Sequence, residues 1–170
     1  MNVSRYFFAL LLLAGALQSV AVQAQEVKAA DLVISQPWSR AAPRGADLAS
    51  SYLTIENKGT TADRLIGGSA EIAEKLQIQQ SSMVGGGLTL NPVEGGLTIS
   101  PGEKVVLAPH GIHLTLSKLK SRMKKGTQVP MTLEFERAGK VTVMFDVLGA
   151  ASTGPVAPKA SAPDDSKTKK

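Results

Sequence analysis

Short stretches of alternating apolar and polar residues, separated by turn residues, run through the middle of this chain. Ser50 to Asn57 is a clear case, because Leu53 and Ile55 fall on one face and polar or aromatic side chains fall on the other. Similar stretches recur at residues 75–80, 88–90, 97–99, 104–107, 112–116, 129–136 and 140–148. Sixteen glycines punctuate the chain. This pattern predicts an all-β fold, a sandwich or small barrel, with the last two strands forming a hairpin.

Helix is expected to be scarce. Only residues 68–75 and 117–125 have a composition that would allow a helical turn or two. The segment "SSMVGGG" at residues 81–87 predicts a polar loop, because it combines serines with three consecutive glycines.

The chain begins with the three parts of a secretory signal peptide. Arg5 supplies positive charge, residues 7–17 form an unbroken apolar run, and small residues at Val22 and Ala24 favour cleavage before Gln25. The apolar run is short for a bilayer span. Residues 1–24 are therefore predicted to direct export to a bacterial periplasm, with no stable membrane insertion after cleavage. An uncleaved N-terminal anchor is the alternative.

Residues 25–150 amount to a single domain. Residues 151–170 are rich in Ala, Pro, Ser and Lys and have no apolar periodicity, which predicts a disordered tail. The chain contains no cysteine, which excludes disulfides and thiolate chemistry.

The net charge of +5 has one local concentration, KLKSRMKKG at residues 118–126. It is either a solvated turn between strands or a face that binds an anionic partner. One Trp, two Tyr and four Phe provide too few aromatic side chains for a base-stacking surface, so no nucleic acid partner is expected.

Enzyme motifs are absent from the sequence. There is no G-x-S-x-G elbow, no glycine-rich loop ending in Lys-Ser/Thr and no H-E-x-x-H. No residue stands out as a nucleophile, so the protein is predicted not to be an enzyme.

Metal binding is the chemistry that the histidines suggest. Both histidines of the chain, His110 and His113, lie where Pro109 and Gly111 interrupt a strand. A soft ion such as Cu(I) would also require thioether sulfur. Of the five methionines, Met83 is the candidate, because the others fall in the signal segment, the basic turn or predicted strands.

Residues 32–147 resemble the PCu(A)C periplasmic copper chaperones. The segments that carry the resemblance are residues 37–40 (PWSR), 52–57, 92–97 and the closing hairpin. The resemblance implies a cupredoxin-like Greek-key β-sandwich. It also implies a protein that binds Cu(I) and helps to deliver it to the copper centre of cytochrome oxidase, or passes it to another copper carrier.

The resemblance places the family's four copper ligands on positions that are mostly changed here. The distal His falls on His113, but the other three ligands fall on Gln79, Leu90 and Thr115. Two interpretations follow. Either a metal site was rebuilt from His113, His110 and Met83, in which case a His-only site would favour Cu(II) or Zn(II). Or the copper site is vestigial and the domain is a non-metal interaction or assembly module that docks through residues 118–125.

Overall fold

The computed structural model describes residues 26–155, so the predicted signal peptide and residues 156–170 lie outside it. Eleven strands make up this part of the chain: β1 (Glu26–Ala29), β2 (Leu32–Arg40), β3 (Leu48–Asn57), β4 (Asp63–Ser69), β5 (Ala73–Val84), β6 (Gly87–Pro92), β7 (Leu97–Ile99), β8 (Lys104–Leu107), β9 (Ile112–Leu119), β10 (Gln128–Phe135) and β11 (Gly139–Leu148). The all-β prediction is confirmed. The expected helical turns are wrong, because residues 71–72 form a tight turn and strand β9 continues to Leu119.

Seven of the strands close into a barrel. Hydrogen bonding runs in the order β2-β11-β10-β4-β5-β9-β3, and a further β2–β3 pairing completes the ring. All these pairings are antiparallel except β11–β2, which is parallel. The remaining strands extend individual members of the ring, β1 on β2, β8 on β3, β6 on β5 and β7 on β4. No helix long and apolar enough to cross a membrane occurs between residues 26 and 155.

The barrel interior is filled by alternate residues of each strand. In β11, every second side chain is buried from Val141 to Val147, as the period of two predicts. The largest buried side chains of the core are Leu32, Ile34, Leu53, Ile55, Leu65, Ile99, Leu107, Leu114, Leu116, Met123, Met131 and Phe145. Met123 therefore anchors the basic loop after β9, and its backbone pairs with that of Ala42.

A bulge in β2 decides which face its tryptophan occupies. Ile34 pairs with Ile55 on the inside of the barrel, and in a regular strand Trp38 would share that face. The register shifts between Ser35 and Trp38, and Gln36 adopts a φ of 52°. The bulge turns Trp38 outward, where it pairs with Tyr52.

Strands β5 and β6 form a long hairpin, so the predicted loop at residues 81–87 is wrong. Gly85 and Gly86 make a two-residue connection with φ values of 60° and 81°. Positive φ at both central residues is what a tight hairpin turn needs, and only glycine adopts it without strain. The serines and Met83 therefore belong to strand β5.

Candidate metal centre

His113 lies in strand β9 on the outer face of the barrel and is only 4% exposed. Its Nδ1 is 3.0 Å from the carbonyl oxygen of Gly111. Because a carbonyl oxygen only accepts hydrogen bonds, Nδ1 carries the proton of the neutral ring. The lone pair is then on Nε2, and an imidazole in this state is ready to ligate a metal.

An aromatic pair supports the imidazole from one side. The ring centroids of Trp38 and Tyr52 are 4.3 Å apart, and those of Tyr52 and His113 are 6.0 Å apart. The guanidinium of Arg40 lies 5.7 Å from the centre of the Tyr52 ring, and its Nε donates a hydrogen bond to the Ser152 carbonyl. The segment after β11 therefore helps to cover this aromatic pair.

Two oxygen atoms beside His113 are buried without a hydrogen-bond partner, Gln79 Oε1 and Thr115 Oγ1. Gln79 pairs directly with His113 across β5 and β9, and Thr115 follows His113 by two residues on the same face. The other such atom among the described residues, Arg64 Nε, lies 3.3 Å from the Glu136 carboxylate. The two oxygens that lack any partner therefore both lie next to the imidazole.

Leaving these oxygens unpaired has an energetic cost. A buried polar group without a partner destabilises a folded protein by about 1–3 kcal/mol. Strands rarely retain such groups unless they have a use outside the folded chain itself. The face formed by Trp38, Tyr52, Gln79, His113 and Thr115, here called the His113 face, is therefore the candidate functional site.

The other predicted ligands lie further out. Met83 is four residues beyond Gln79 on β5, about 13 Å along the strand, and its side chain is 69% exposed. His110 is exposed in the turn between β8 and β9, with a φ of 65°. Leu90 pairs with Ser81 on β6 and is 38% exposed. The structure does not bring Met83 beside His113.

Soft ligands are scarce on the His113 face. Met123 and Met131 are 1% and 0% exposed inside the barrel and point away from it. Among residues 26–155, no three His, Cys, Asp or Glu side chains are grouped as a metal site. One imidazole with two neutral oxygens does not fit the thioether-rich ligand set that Cu(I) prefers.

The family is decided by a comparison of the whole domain. A family model described as "Putative lipoprotein LpqE-like" matches residues 32–147. The chain belongs to this family. A curated relative, the putative lipoprotein Lxx21020 of Leifsonia xyli subsp. xyli, is 30% identical over 102 residues. That match covers 60% of the LpqE-like chain and 60% of the relative's own length, which is less than two thirds of it.

Solved structures give the fold its class. The copper-bound PCuAC domain from PmoF2 matches 74% of the LpqE-like chain and 98% of that domain, with 27% identity and a TM-score of 0.62. The apo PCuAC domain from PmoF1 matches 74% and 99%, with 28% identity and the same TM-score. The Cu(I) form of DR1885 from Deinococcus radiodurans matches 80% and 87% at 23% identity and a TM-score of 0.55, a likeness of fold alone. The resemblance to PCu(A)C proteins and the cupredoxin-like fold are thus confirmed.

Sequence reasoning identified His113 but missed the aromatic pair beside it. Trp38 was visible as the single tryptophan of the chain within the PWSR segment. Its outward orientation depends on the bulge at Gln36, which no local pattern predicts. Gln79 and Thr115 were recognised as replaced ligand positions, and their unpaired oxygens emerge only from the packing of β3, β5 and β9.

We expect Thr115→Val to stabilise the metal-free protein by about 1 kcal/mol, because valine has the same shape and removes an unpaired buried hydroxyl. Urea unfolding followed by far-UV circular dichroism measures this. Ser51→Ala is the matched control, since the Ser51 and Ser39 hydroxyls are fully buried and 2.6 Å apart. That variant should lose about 1–3 kcal/mol. A loss of stability in Thr115→Val as well would mean that its hydroxyl has a partner.

Proposed function

We propose that the protein is an exported, non-enzymatic copper carrier of the PCuAC type that holds copper as cargo at His113. One observation supports this above the others. The only imidazole of the described β-strands has a free Nε2 and lies beside two buried oxygens without partners. The matched PmoF2 domain, at 27% identity, is a copper-bound one.

The proposed cargo transfer follows from the small number of ligands. A site with one strong nitrogen ligand holds a metal weakly and releases it readily to an acceptor that offers more ligands. By the family resemblance, that acceptor is the copper centre of cytochrome oxidase or another copper carrier. Delivery of Cu(I) there would require the acceptor to supply the soft ligands that this face lacks.

The proposed compartment is the periplasm. Support comes from the signal-like residues 1–24, the absence of cysteine and the description of the family as lipoprotein-like. Secretion of an epitope-tagged precursor, followed by N-terminal sequencing of the product, tests both export and cleavage before Gln25.

His113→Ala is expected to reduce copper binding by at least about tenfold, because it removes the nitrogen ligand. His110→Ala is the control, since that side chain is exposed in a turn outside the His113 face. The measurement is competition with a chromophoric chelator, using residues 25–170 and copper in each oxidation state. If His113→Ala binds copper as the wild type does, the proposed site is wrong. If only the His110 variant loses copper, the ligand is in the turn.

A second candidate function is the interaction module, and one observation favours it. Met123 fixes the basic loop to the core, while Arg44, Lys120 and Arg122 line a surface pocket beside it. Lys118 is partly neutralised by Glu74 at 2.9 Å, and this contact lowers the pKa of the Glu74 carboxyl. The loop lies at the opposite end of β9 from His113, so partner docking there would leave the metal face accessible.

A further inference from the structure

We infer that the His113 face selects a divalent cation with nitrogen and oxygen ligands, and that it takes Cu(II) in preference to Cu(I). The ligands are His113 Nε2, Gln79 Oε1 and Thr115 Oγ1. This inference rests on the proposed function and specifies the oxidation state of its cargo.

The three side chains share one face of neighbouring strands. Gln79 and His113 are direct cross-strand partners, and such partners have Cβ atoms about 4.5–5.5 Å apart. Thr115 is the next residue of β9 on that face, and it lies between Gln77 of β5 and Ser50 of β3. The register therefore places two oxygen ligands on either side of one imidazole.

The burial of the oxygens is the second observation. Thr115 is 4% exposed, and neither its hydroxyl nor the Gln79 carbonyl oxygen has a hydrogen-bond partner. Both atoms are acceptors with free lone pairs. A bound cation would satisfy them, which water at an exposed site would otherwise do.

The ligand chemistry decides between the two oxidation states. Cu(I) is soft and favours thiolate and thioether sulfur, whereas imidazole with oxygen ligands suits Cu(II). Among divalent first-row ions, affinity for a given nitrogen and oxygen site is greatest for Cu(II). Replacing sulfur ligands by Gln79 and Thr115 therefore shifts the preference of the site, in addition to weakening it.

Charge limits the affinity. None of the three ligands is anionic, and Arg40 places a guanidinium over the neighbouring Tyr52 ring. A divalent ion is therefore bound without charge neutralisation, and we expect an exchangeable site. Exchangeability agrees with a cargo rather than a permanently bound metal.

The chain contains its own reporter for this site. Trp38 is the single tryptophan, and it is stacked on Tyr52, which neighbours His113. Paramagnetic Cu(II) bound at His113 should quench its fluorescence, and the electron paramagnetic resonance spectrum should show coupling to one imidazole nitrogen from the protein.

The decisive experiment titrates residues 25–170 with Cu(II) in air and with Cu(I) under anaerobic conditions, each against a competing chelator. The wild type should bind Cu(II) at least about tenfold more tightly than Cu(I). Thr115→Val should weaken Cu(II) binding about threefold to tenfold and leave Cu(I) binding within about twofold, since only Cu(II) uses the hydroxyl. Thr142→Val is the control, because that exposed threonine lies on β11 away from the face.

The outcomes separate this inference from the proposed function. Equal or tighter binding of Cu(I), or a Cu(II) affinity that Thr115→Val leaves unchanged, overturns the inference while copper carriage at His113 stands. Failure of both ions to bind, or binding that His113→Ala does not reduce, overturns the proposed function as well. Quenching of Trp38 that persists in His113→Ala would place the ion elsewhere and count against both.

Discussion

A chain carrying Gln79→His, Leu90→Met and Thr115→Met is expected to bind Cu(I) at least about a thousandfold more tightly than the wild type. His113 already presents a free Nε2, so the three changes add one imidazole and two thioethers around an existing ligand. By the family resemblance these are the positions that carry copper ligands. The size of the gain follows if each added soft ligand contributes about tenfold.

The register supports the geometry of this restored site. Gln79 pairs with His113 on one side and with Pro92 on the other, so Leu90, two residues from Pro92, is a diagonal neighbour on the same face. Leu90→Met conserves volume and should be well tolerated. Thr115→Met places a larger side chain at a buried position, and we expect it to cost about 1–3 kcal/mol of stability.

The control for the restored site is the same triple variant with His113→Ala. Competition titration with a Cu(I) chelator under anaerobic conditions measures all three proteins. Removing His113 from the triple variant should reverse about tenfold of the gain. A triple variant no better than the wild type would show that these positions do not converge on one ion, and would contradict the transfer of family ligand positions to this chain.

Local sequence signals predicted most of the strands. Strands β7 and β8 begin and end at the expected residues because each lies between turns rich in Gly, Pro and Ser. Strand β5 was predicted to end at Gln80 and continues to Val84, since its last residues are polar and lack an apolar face. Strands β2 and β3 close the barrel by pairing with each other, and β2 also pairs in parallel with β11. The second contact joins segments about 100 residues apart, which no local period reports.

The candidate site was predictable only in part, for a physical reason. The position of His113 follows from its motif, whereas the state of its neighbours depends on burial. Thr115 reads from sequence as an ordinary strand residue, and only its cover by adjacent strands leaves the hydroxyl without water or a partner. In the same way, the bulge at Gln36 reverses Trp38 and creates an aromatic support that alternation would have placed inside the barrel.

Trp38→Ala is expected to reduce the free energy of unfolding by about 3–5 kcal/mol, the usual cost of deleting a large buried aromatic side chain. Trp38 is 4% exposed and stacks on Tyr52 at 4.3 Å, so its removal leaves a cavity under the rings that support His113. Far-UV circular dichroism in urea is the appropriate probe, since the variant has no tryptophan. Trp38→Phe is the matched control and should lose much less, because a second ring can still pack on Tyr52.

The two Trp38 variants also separate support of the site from simple packing. If the aromatic pair positions the imidazole, Trp38→Phe retains copper affinity while Trp38→Ala loses it under conditions where both remain folded. Equal copper affinity in the two folded variants would show that the Gly111 carbonyl alone orients His113 through Nδ1. A stability loss below about 1 kcal/mol for Trp38→Ala would contradict the burial on which the outer aromatic cluster depends. The outward turn of one tryptophan at a bulge is thus tied, through Tyr52, to the ligand that the metal requires.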